Sequence, residues 1–281
     1  MMSIKLKKVF MVTVAALFVF GFSQFAAAQK ADETLELSGN GNRAIQISRS
    51  GKYRLSDDLE IRSGNAITIT ASNVTLDLAG YTVSTESGGT GRGVFVSGAK
   101  NVQIKNGKIS GFNANVVLMN SENVVVESLQ IAGLGLAPNN GPTEIGVLLV
   151  NAWANSIRDN TISSVNLGIF VRGGNSTANR ISKNVVVGGA NPANNLLGIC
   201  YNPAPNAGTA GPRGDSIYNN HIARFGFAIA ISVGSVHNIF SDNTLASFTG
   251  DFREPGTLTT GGGTNVSESN IAVTIPVTVI Q

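Results

Sequence analysis

The sequence has 281 residues, and its 20 Lys and Arg residues against 17 Asp and Glu residues give a formal net charge of +3. Charged residues make up only 13% of the chain and aromatic residues 6%, whereas hydrophobic residues make up 42% and there are 33 glycines. This balance excludes a coiled coil and a charged disordered chain, and the length suffices for one large all-β domain with a substantial core.

Residues 1–28 have the three parts of a secretory signal peptide. Three lysines stand within the first eight residues, an apolar run covers residues 9–25, and three alanines end at Ala28. This order of basic, apolar and small residues predicts cleavage after Ala28 and a secreted or periplasmic product. The alternative is an uncleaved membrane anchor, for which the apolar run is at the short limit of a bilayer span.

Removal of the signal peptide changes the charge of the protein. Residues 1–28 hold three lysines and no acids, which leaves 17 basic and 17 acidic residues in the mature chain. Without a basic run we expect no nucleic-acid partner, and without a second long apolar run we expect no membrane insertion after cleavage. Cys200 is the only cysteine, which excludes a disulfide within the chain.

Short strand-like triplets recur along the mature chain, each after a small residue. Their starts are 22, 31, 22, 30 and 30 residues apart, which indicates a unit of about 22 residues with loops inserted into the longer copies. The triplets begin at Val94, Val116, Val147, Ile169, Ile199 and Ile229.

Each triplet is followed by two further β-like pieces with a recurrent polar residue between them. That residue is Asn106, Ser128, Asn160, Asn184, Asn220 or Asn243. We expect this Asn to adopt the left-handed conformation of a corner and to bond to the Asn one coil away. Three strands per unit predict an all-β, single-stranded parallel solenoid of about seven coils. A β-sandwich is the alternative, but it does not require an Asn at one corner.

The two ends of the mature chain differ from the repeats. Residues 29–42 are interpreted as a polar lead-in, and residues 43–281 as the β-helix domain. Within that domain, residues 43–64 are expected to supply an N-terminal strand that covers the first coil. Residues 271–279 are expected to form a C-terminal β cap, in which Pro276 blocks further pairing.

From about residue 45 to 248 the sequence resembles the right-handed parallel β-helix proteins of the pectate-lyase-like superfamily. The segments that carry the resemblance are Ser72-Asn-Val-Thr-Leu-Asp-Leu-Ala-Gly80 and Lys100-Asn-Val-Gln-Ile-Lys-Asn-Gly107. The resemblance implies the right-handed winding of the coils, which the spacing of the triplets alone does not establish. It also implies that ligands lie along the face formed by the first strand of each coil.

Alternation along a strand places the middle residue of each triplet on the outside of the first-strand face. The resulting stripe is mostly apolar: Thr68, Phe95, Val117, Leu148, Phe170, Cys200 and Ala230. We expect a ligand groove there, lined by Phe95, Val117, Met119, Leu148, Phe170 and Cys200. A loop folded over the face and a contact between copies of the chain are the alternatives.

The carboxylate and basic clusters that serve the lyases and polygalacturonases of the superfamily do not occur at matching positions, and no family catalytic residue carries over. The polar candidates near the groove are Arg92, Glu144, Arg172, Tyr201, Arg213 and Asp215. In an enzyme, the arginines would neutralise a substrate carboxylate, and Glu144 or Tyr201 would move a proton. The alternative is that these residues are ordinary loop charges or local ion pairs.

Neither a metal nor a cofactor is expected. His221, His237, Met119 and Cys200 are the residues with metal-binding chemistry, and they fall on different coils. Cys200 has no base on an adjacent coil and is interpreted as a small, partly buried filler.

The sequence favours an exported protein that binds or acts on polysaccharide, and a catalytic version would be a uronic-acid lyase or epimerase. One alternative is a non-catalytic surface or matrix scaffold or binding module. Another is an enzyme or binder for a small apolar ligand in the groove. A homo-oligomer formed through the apolar face also remains open.

Overall fold

The computed structural model describes residues 33–39, 42–85, 90–135, 144–189, 195–202, 211–231, 234–246, 250–253 and 266–272. By its internal contacts the chain divides into Met1–Lys30 and Ala31–Gln281, and every described residue belongs to the second unit. The predicted signal peptide, residues 1–28, lies outside the described residues. None of the described residues forms a helix long and apolar enough to cross a membrane.

The described residues form strands that coil repeatedly in one direction. In chain order they are β1 (Thr34–Leu37), β2 (Ile45–Ile47), β3 (Gly51–Leu55), β4 (Leu59–Ile61), β5 (Asn65–Ile69), β6 (Val74–Asp77), β7 (Thr82–Thr85), β8 (Arg92–Ser97), β9 (Lys100–Ser110), β10 (Ala114–Met119), β11 (Glu122–Ala132), β12 (Ile145–Val150), β13 (Ser156–Arg158), β14 (Thr161–Ser163), β15 (Leu167–Arg172), β16 (Arg180–Ser182), β17 (Val185–Val187), β18 (Leu197–Asn202), β19 (Ser216–Tyr218), β20 (His221–Ala223), β21 (Phe227–Ile231), β22 (Ile239–Ser241), β23 (Thr244–Ala246), β24 (Gly250–Arg253), β25 (Val266–Glu268) and β26 (Ile271–Ala272).

All pairings between these strands are parallel, and they make two sheets. The first sheet has nine strands in the order β2-β5-β8-β10-β12-β15-β18-β21-β24, and the second has 17 strands that supply the other two sides of each coil. This is the predicted parallel β-helix. The first sheet contains nine strands rather than about seven because both ends of the predicted array add rungs.

The N-terminal end corrects two details of the prediction. Residues 45–61 do not simply cover the first coil: β2, β3 and β4 form a coil of their own, in which β2 pairs with β5 and β3 with β6. The polar lead-in also contains a strand, β1, which pairs with β3 from Thr34 to Leu37. At the other end, β25 and β26 add a further rung. The predicted cap, residues 271–279, lies outside the described residues from residue 273 onward.

The core is one continuous apolar column inside the coils. Inward-facing Val, Ile and Leu side chains from all three sides pack on those of the coils above and below, and most are fully buried. The burial of apolar area along this column is the main favourable contribution to the stability of the solenoid. No disulfide is available to add to it, because the only cysteine is free.

Two ladders of side-chain amides run along the buried corners of the later coils. Asn160, Asn184, Asn220, Asn243 and Asn270 form one ladder, and in each step the side-chain nitrogen donates to the side-chain oxygen of the next coil at 2.9–3.0 Å. The other ladder consists of Asn155, Asn179, Asp215 and Asn238. The predicted hydrogen bond between the side-chain amides of adjacent coils is therefore present from Asn160 to Asn243, and the ladder at the other corner is an addition to the prediction.

The left-handed conformation, by contrast, belongs to a different residue in these coils. Positive φ angles occur immediately before the ladder amides, for example at Lys183 (φ 55°) before Asn184 and Asn219 (φ 56°) before Asn220. Asn106 (φ 58°), in an earlier coil, does adopt the conformation that was predicted for the whole set. The later amides instead point into the corner, where they bond to backbone groups as well as to each other.

Candidate functional site

The register of the first sheet places the middle residues of the triplets in one row on its outer surface. Thr68, Phe95, Val117, Leu148, Phe170, Cys200 and Ala230 are paired in that order across β5, β8, β10, β12, β15, β18 and β21. We call this surface the outer face. Met119 lies in the neighbouring row of the same face, between Ser97 and Val150.

The outer face is apolar, and much of it is already buried. Phe95, Leu148 and Phe170 are half-buried, but Val117, Cys200 and Ala230 are only 0%, 3% and 8% exposed. The accessible part of the predicted groove is therefore the part around the two phenylalanines and Leu148. The loops predicted to flank or cover the groove include residues 86–89, 136–143 and 203–210, which lie outside the described residues.

A second apolar cluster, separate from the core, covers part of this face. It joins Leu167, Cys200 and Ala230 with the half-buried Ile145, Phe170 and Leu197. Strict alternation along each strand predicts an inward side chain for the residue before the glycine. It therefore did not predict that Ile145, Leu167 and Leu197 lie on the outer face. Their signal is the recurrent pattern of a large apolar residue followed by glycine, which occurs once in each of these strands.

Arg92 contacts Phe95 on the outer face. Its guanidinium carbon lies 4.2 Å from the centroid of the Phe95 ring. A guanidinium over an aromatic face is attracted by the negative charge density of the ring. The contact therefore holds a positive charge in a defined position at the edge of an apolar surface.

Arg172 is the second arginine of the outer face, farther along the solenoid. It ends β15 two residues after Phe170, which places both side chains on the outer face, and it is half-buried. The rung of Phe170 is three strands from that of Phe95, or about 14 Å at the spacing of paired strands. From β5 to β21, Arg92 and Arg172 are the only charged residues that the first sheet contains.

Tyr201 and Asp215, two of the predicted groove residues, lie inside the solenoid instead. Tyr201 follows the outward-facing Cys200 and therefore points inward, where it is 1% exposed and packs edge-on against Phe240 at 6.0 Å. Asp215 is 0% exposed and occupies a position in the amide ladder. The alternation that placed Cys200 on the outer face already implied the inward direction of Tyr201.

The two acidic candidates, Asp215 and Glu144, have different hydrogen-bond partners. Burial raises the pKa of Asp215 to about 6, against a smaller opposite effect of the Asn179 hydrogen bonds and of the nearby Tyr201 hydroxyl. Glu144 is also fully buried, and its carboxylate accepts hydrogen bonds from the backbone nitrogens of Leu134 (2.8 Å) and Gly135 (2.9 Å). Both carboxylates are thus engaged in holding the backbone of the corners.

Arg213 is the remaining polar candidate, and it lies on a corner between the two sheets. Its backbone forms single bridges to Thr177 and Val236 of the adjacent coils. Its exposed guanidinium donates a hydrogen bond to the carbonyl oxygen of Gly174 at 3.3 Å. The structure therefore brings Arg92 and Arg172 to the outer face but places Arg213 beside it.

Cys200 fills space in the outer cluster. Burial raises the pKa of its thiol far above the ordinary value, which keeps the sulfur protonated and unreactive. Among the described residues, no group of three His, Cys, Asp or Glu side chains is placed to hold a metal ion.

A comparison with protein families assigns the fold. The family model described as right handed beta helix region matches residues 34–202, and the chain belongs to this family. The resemblance to the pectate-lyase-like proteins implied right-handed winding of the coils, and the family to which the chain belongs has this winding. No curated protein sequence matches the chain.

Solved structures with the same fold are only distantly similar in sequence. An alginate lyase from Paenibacillus has 14% identity and a TM-score of 0.52, over 85% of this chain and 95% of the lyase. A DFA-IIIase from Arthrobacter chlorophenolicus, in complex with DFA-III, has 14% identity and a TM-score of 0.55, over 85% of this chain and 64% of that enzyme. A mannuronic acid specific family 6 polysaccharide lyase from human gut microbiota has 14% identity and a TM-score of 0.50, over 83% and 56% of the two chains. At this identity the likeness establishes the fold alone.

Proposed function

We propose that the protein is an exported β-helix protein that binds an acidic polysaccharide along its outer face. The observation that carries the proposal is the position of two arginines on the outer face, where Arg92 contacts Phe95 and Arg172 lies on the same side of β15 as Phe170. A guanidinium edge binds a carboxylate with two parallel hydrogen bonds, and an aromatic ring packs against the apolar face of a sugar. Phe95 and Phe170 lie three strands apart, about 14 Å, so they would contact sugar units of an extended polymer that are separated by intervening units.

The known activities of proteins with this fold point to the same class of ligand. The alginate lyase and the mannuronic acid specific lyase act on polymers of uronic acids according to their names. The outer face has the positive charge that such a polymer requires, because both of its charged residues from β5 to β21 are arginines. We therefore expect alginate and polygalacturonate to bind and a neutral glucan not to bind.

Titration calorimetry with these three polymers tests the proposal. The wild-type protein should bind the two acidic polymers, and the Arg92→Gln and Arg172→Gln variants should each bind them at least about tenfold more weakly. Arg213→Gln is the matched control, because it removes an exposed arginine beside the face and should retain wild-type affinity. Equal binding of the neutral glucan, or equal losses in all three variants, would overturn the proposal.

The contacts favour binding over catalysis at this face. Glu144 and Tyr201, the predicted proton-transfer residues, are both buried, and the Glu144 carboxylate holds the backbone at Leu134 and Gly135. A uronic-acid lyase would produce an unsaturated sugar that absorbs in the ultraviolet, and an epimerase would change the sugar composition of the polymer. We expect neither product after prolonged incubation with alginate or polygalacturonate. Formation of either one would establish the catalytic version of the function.

Export is the part of the proposal that depends on residues 1–28. Mass spectrometry of the protein recovered from the periplasm or medium of an expressing bacterium should give a chain that starts at Gln29. Recovery of the full-length chain in the membrane fraction would instead support the uncleaved anchor.

The outer apolar cluster supports a second candidate function, the binding of a small apolar ligand. Phe170 and Leu148 are accessible there beside the buried Cys200 and Ala230. Replacement of Phe95 and Phe170 by Ser should then abolish the binding of a fluorescent apolar probe without changing the circular dichroism. A wild-type protein that binds neither polymers nor the probe would be a scaffold.

A further inference from the structure

Asp215 occupies a position that is an asparagine in the other coils of its ladder. Asn155, Asn179 and Asn238 are the equivalent residues, and all four side chains are at most 1% exposed. Each asparagine of such a ladder offers an oxygen that accepts hydrogen bonds from the preceding coil and an NH₂ group that donates onward. An ionised aspartate has two acceptors and no donor.

The contacts of Asp215 show where the missing donor matters. One carboxylate oxygen, Oδ1, accepts from the backbone nitrogen of Asn179 at 2.7 Å and from its side-chain nitrogen at 3.2 Å, as a ladder oxygen should. The backbone nitrogen of Asp215 donates to the side-chain oxygen of Asn238 at 3.0 Å. The other oxygen, Oδ2, accepts a longer hydrogen bond of 3.4 Å from the same side-chain nitrogen. It stands where an asparagine has its NH₂ group, which in Asn179 donates to the carbonyl oxygen of Ala152 at 3.0 Å as well as along the ladder.

The hydroxyl of Tyr201 is buried near this carboxyl. It forms no hydrogen bond to any described residue, although the ring is held against Phe240. Burial raises the pKa of the Tyr201 hydroxyl, and the negative charge of Asp215 raises it further. A phenol and a carboxyl thus share one buried corner, between the first sheet and the amide ladder.

The surroundings offer this carboxyl little compensation for a negative charge. Cys200 precedes Tyr201 on β18 and is itself buried and protonated. The charged or titratable residues next to the ladder positions are Arg180, Arg213 and His237, and all three side chains are exposed. The Cys200 side chain points to the outer face, so the groups that face the carboxyl are the neutral amides of the ladder and the phenol.

We propose that Asp215, buried near the Tyr201 hydroxyl, is a proton-dependent link that fastens its coil to the coils of Asn179 and Asn238. With Asp215 protonated, its hydroxyl supplies the donor that an asparagine supplies in the other coils, and the ladder is continuous. Loss of the proton removes this donor and leaves a buried negative charge that no cationic side chain among the described residues contacts, which weakens these coils. Asp215 is thus a titratable residue in a ladder whose other members, Asn155, Asn179 and Asn238, do not titrate.

The direction of the effect follows from the two states of the carboxyl. Its pKa is raised from 3.8 to about 6 in the folded protein. Below the lower value both states are protonated, and the contribution to stability is fully present. Between the two values only the folded state keeps the proton, so stability falls as the pH rises, and above the upper value the loss is complete.

Thermal unfolding of the full chain between pH 3.5 and 7.5 in the wild type and in Asp215→Asn tests the proposal. The asparagine restores the donor without a charge, so its melting temperature should exceed that of the wild type by about 5 °C or more at pH 7. The difference should shrink toward zero as the pH falls below about 4. A difference that is constant across the pH range would overturn the proposal.

Two further variants separate the proposal from other titrations. Tyr201→Phe removes the hydroxyl that partly lowers the pKa of Asp215, so the fall in stability should move to higher pH. Histidine is the side-chain type that commonly changes charge near neutral pH, so His221→Gln and His237→Asn are the controls, and both should retain the wild-type difference from Asp215→Asn. Disappearance of the pH dependence in a histidine variant, or an unshifted profile in Tyr201→Phe, would contradict the assignment to this pair.

Discussion

The side-chain nitrogen of Asn184 donates to the side-chain oxygen of Asn220 in the next coil over 3.0 Å, and also to the backbone oxygen of Ile157 over 2.8 Å. The side-chain oxygen of Asn184 in turn accepts two hydrogen bonds from Asn160, one from the backbone nitrogen of Asn160 and one from its side-chain nitrogen. One buried side chain thus connects three coils. The corner ladders bind the stacked coils together where the apolar core alone would leave polar backbone groups unpaired.

Replacement of Asn184 by Ala should therefore destabilise the protein by about 2–4 kcal/mol, because it leaves several buried donors and acceptors without partners. Urea unfolding followed by circular dichroism measures the loss. Asn175→Ala, which removes an exposed asparagine from a turn, should change the free energy of unfolding by less than about 0.5 kcal/mol. Equal effects of the two substitutions would show that the ladder does not stabilise the fold.

Glu144 makes a different prediction, because its carboxylate is bonded to the backbone nitrogens of Leu134 and Gly135. Glu144→Gln should cost about 1.5–3 kcal/mol of stability, since the amide NH₂ cannot accept one of these bonds. The exposed Glu60→Gln serves as the control. If Glu144→Gln retained full stability but abolished a uronate-cleaving activity, Glu144 would be catalytic as the sequence suggested.

The glycine of each repeat makes close contact with the next coil. A β-carbon at Gly168 would collide with the carbonyl oxygen of Gly198 and with a methyl group of Val186. Gly168→Ala should therefore destabilise the solenoid by about 3 kcal/mol. Gly189→Ala, where a β-carbon meets only ordinary contacts at 3.5 Å or more, should be nearly neutral in the same unfolding experiment.

Cys200 provides a test of the outer cluster. Because the thiol is 3% exposed and burial raises its pKa, it should not react with an aromatic disulfide reagent in the native protein at pH 8. The same reagent should modify one thiol per chain after unfolding in guanidinium chloride. Rapid modification of the native protein would show that the cluster around Cys200 is open.

The sequence was sufficient to predict the parallel β-helix and the row from Thr68 to Ala230, because both depend on a short repeat of apolar residues. It misplaced Tyr201 on the outer face, although alternation from Cys200 requires an inward side chain. The partners of Glu144 could not be predicted either, since its hydrogen bonds join it to Leu134 and Gly135 across an inserted loop. The contact of Arg92 with Phe95 requires two consecutive buried residues between them, Gly93 and Val94, where strict alternation would allow only one. The apolar pattern of the strand does not reveal this irregularity.

Hydroxyl-radical footprinting with and without an acidic polysaccharide tests the central claim, the location of the binding face, most directly. Bound polymer should protect Phe95 and Phe170 on the outer face from oxidation and leave the half-buried Tyr218 of the second sheet unchanged. Protection of Tyr218 with unchanged oxidation of the two phenylalanines would contradict the account.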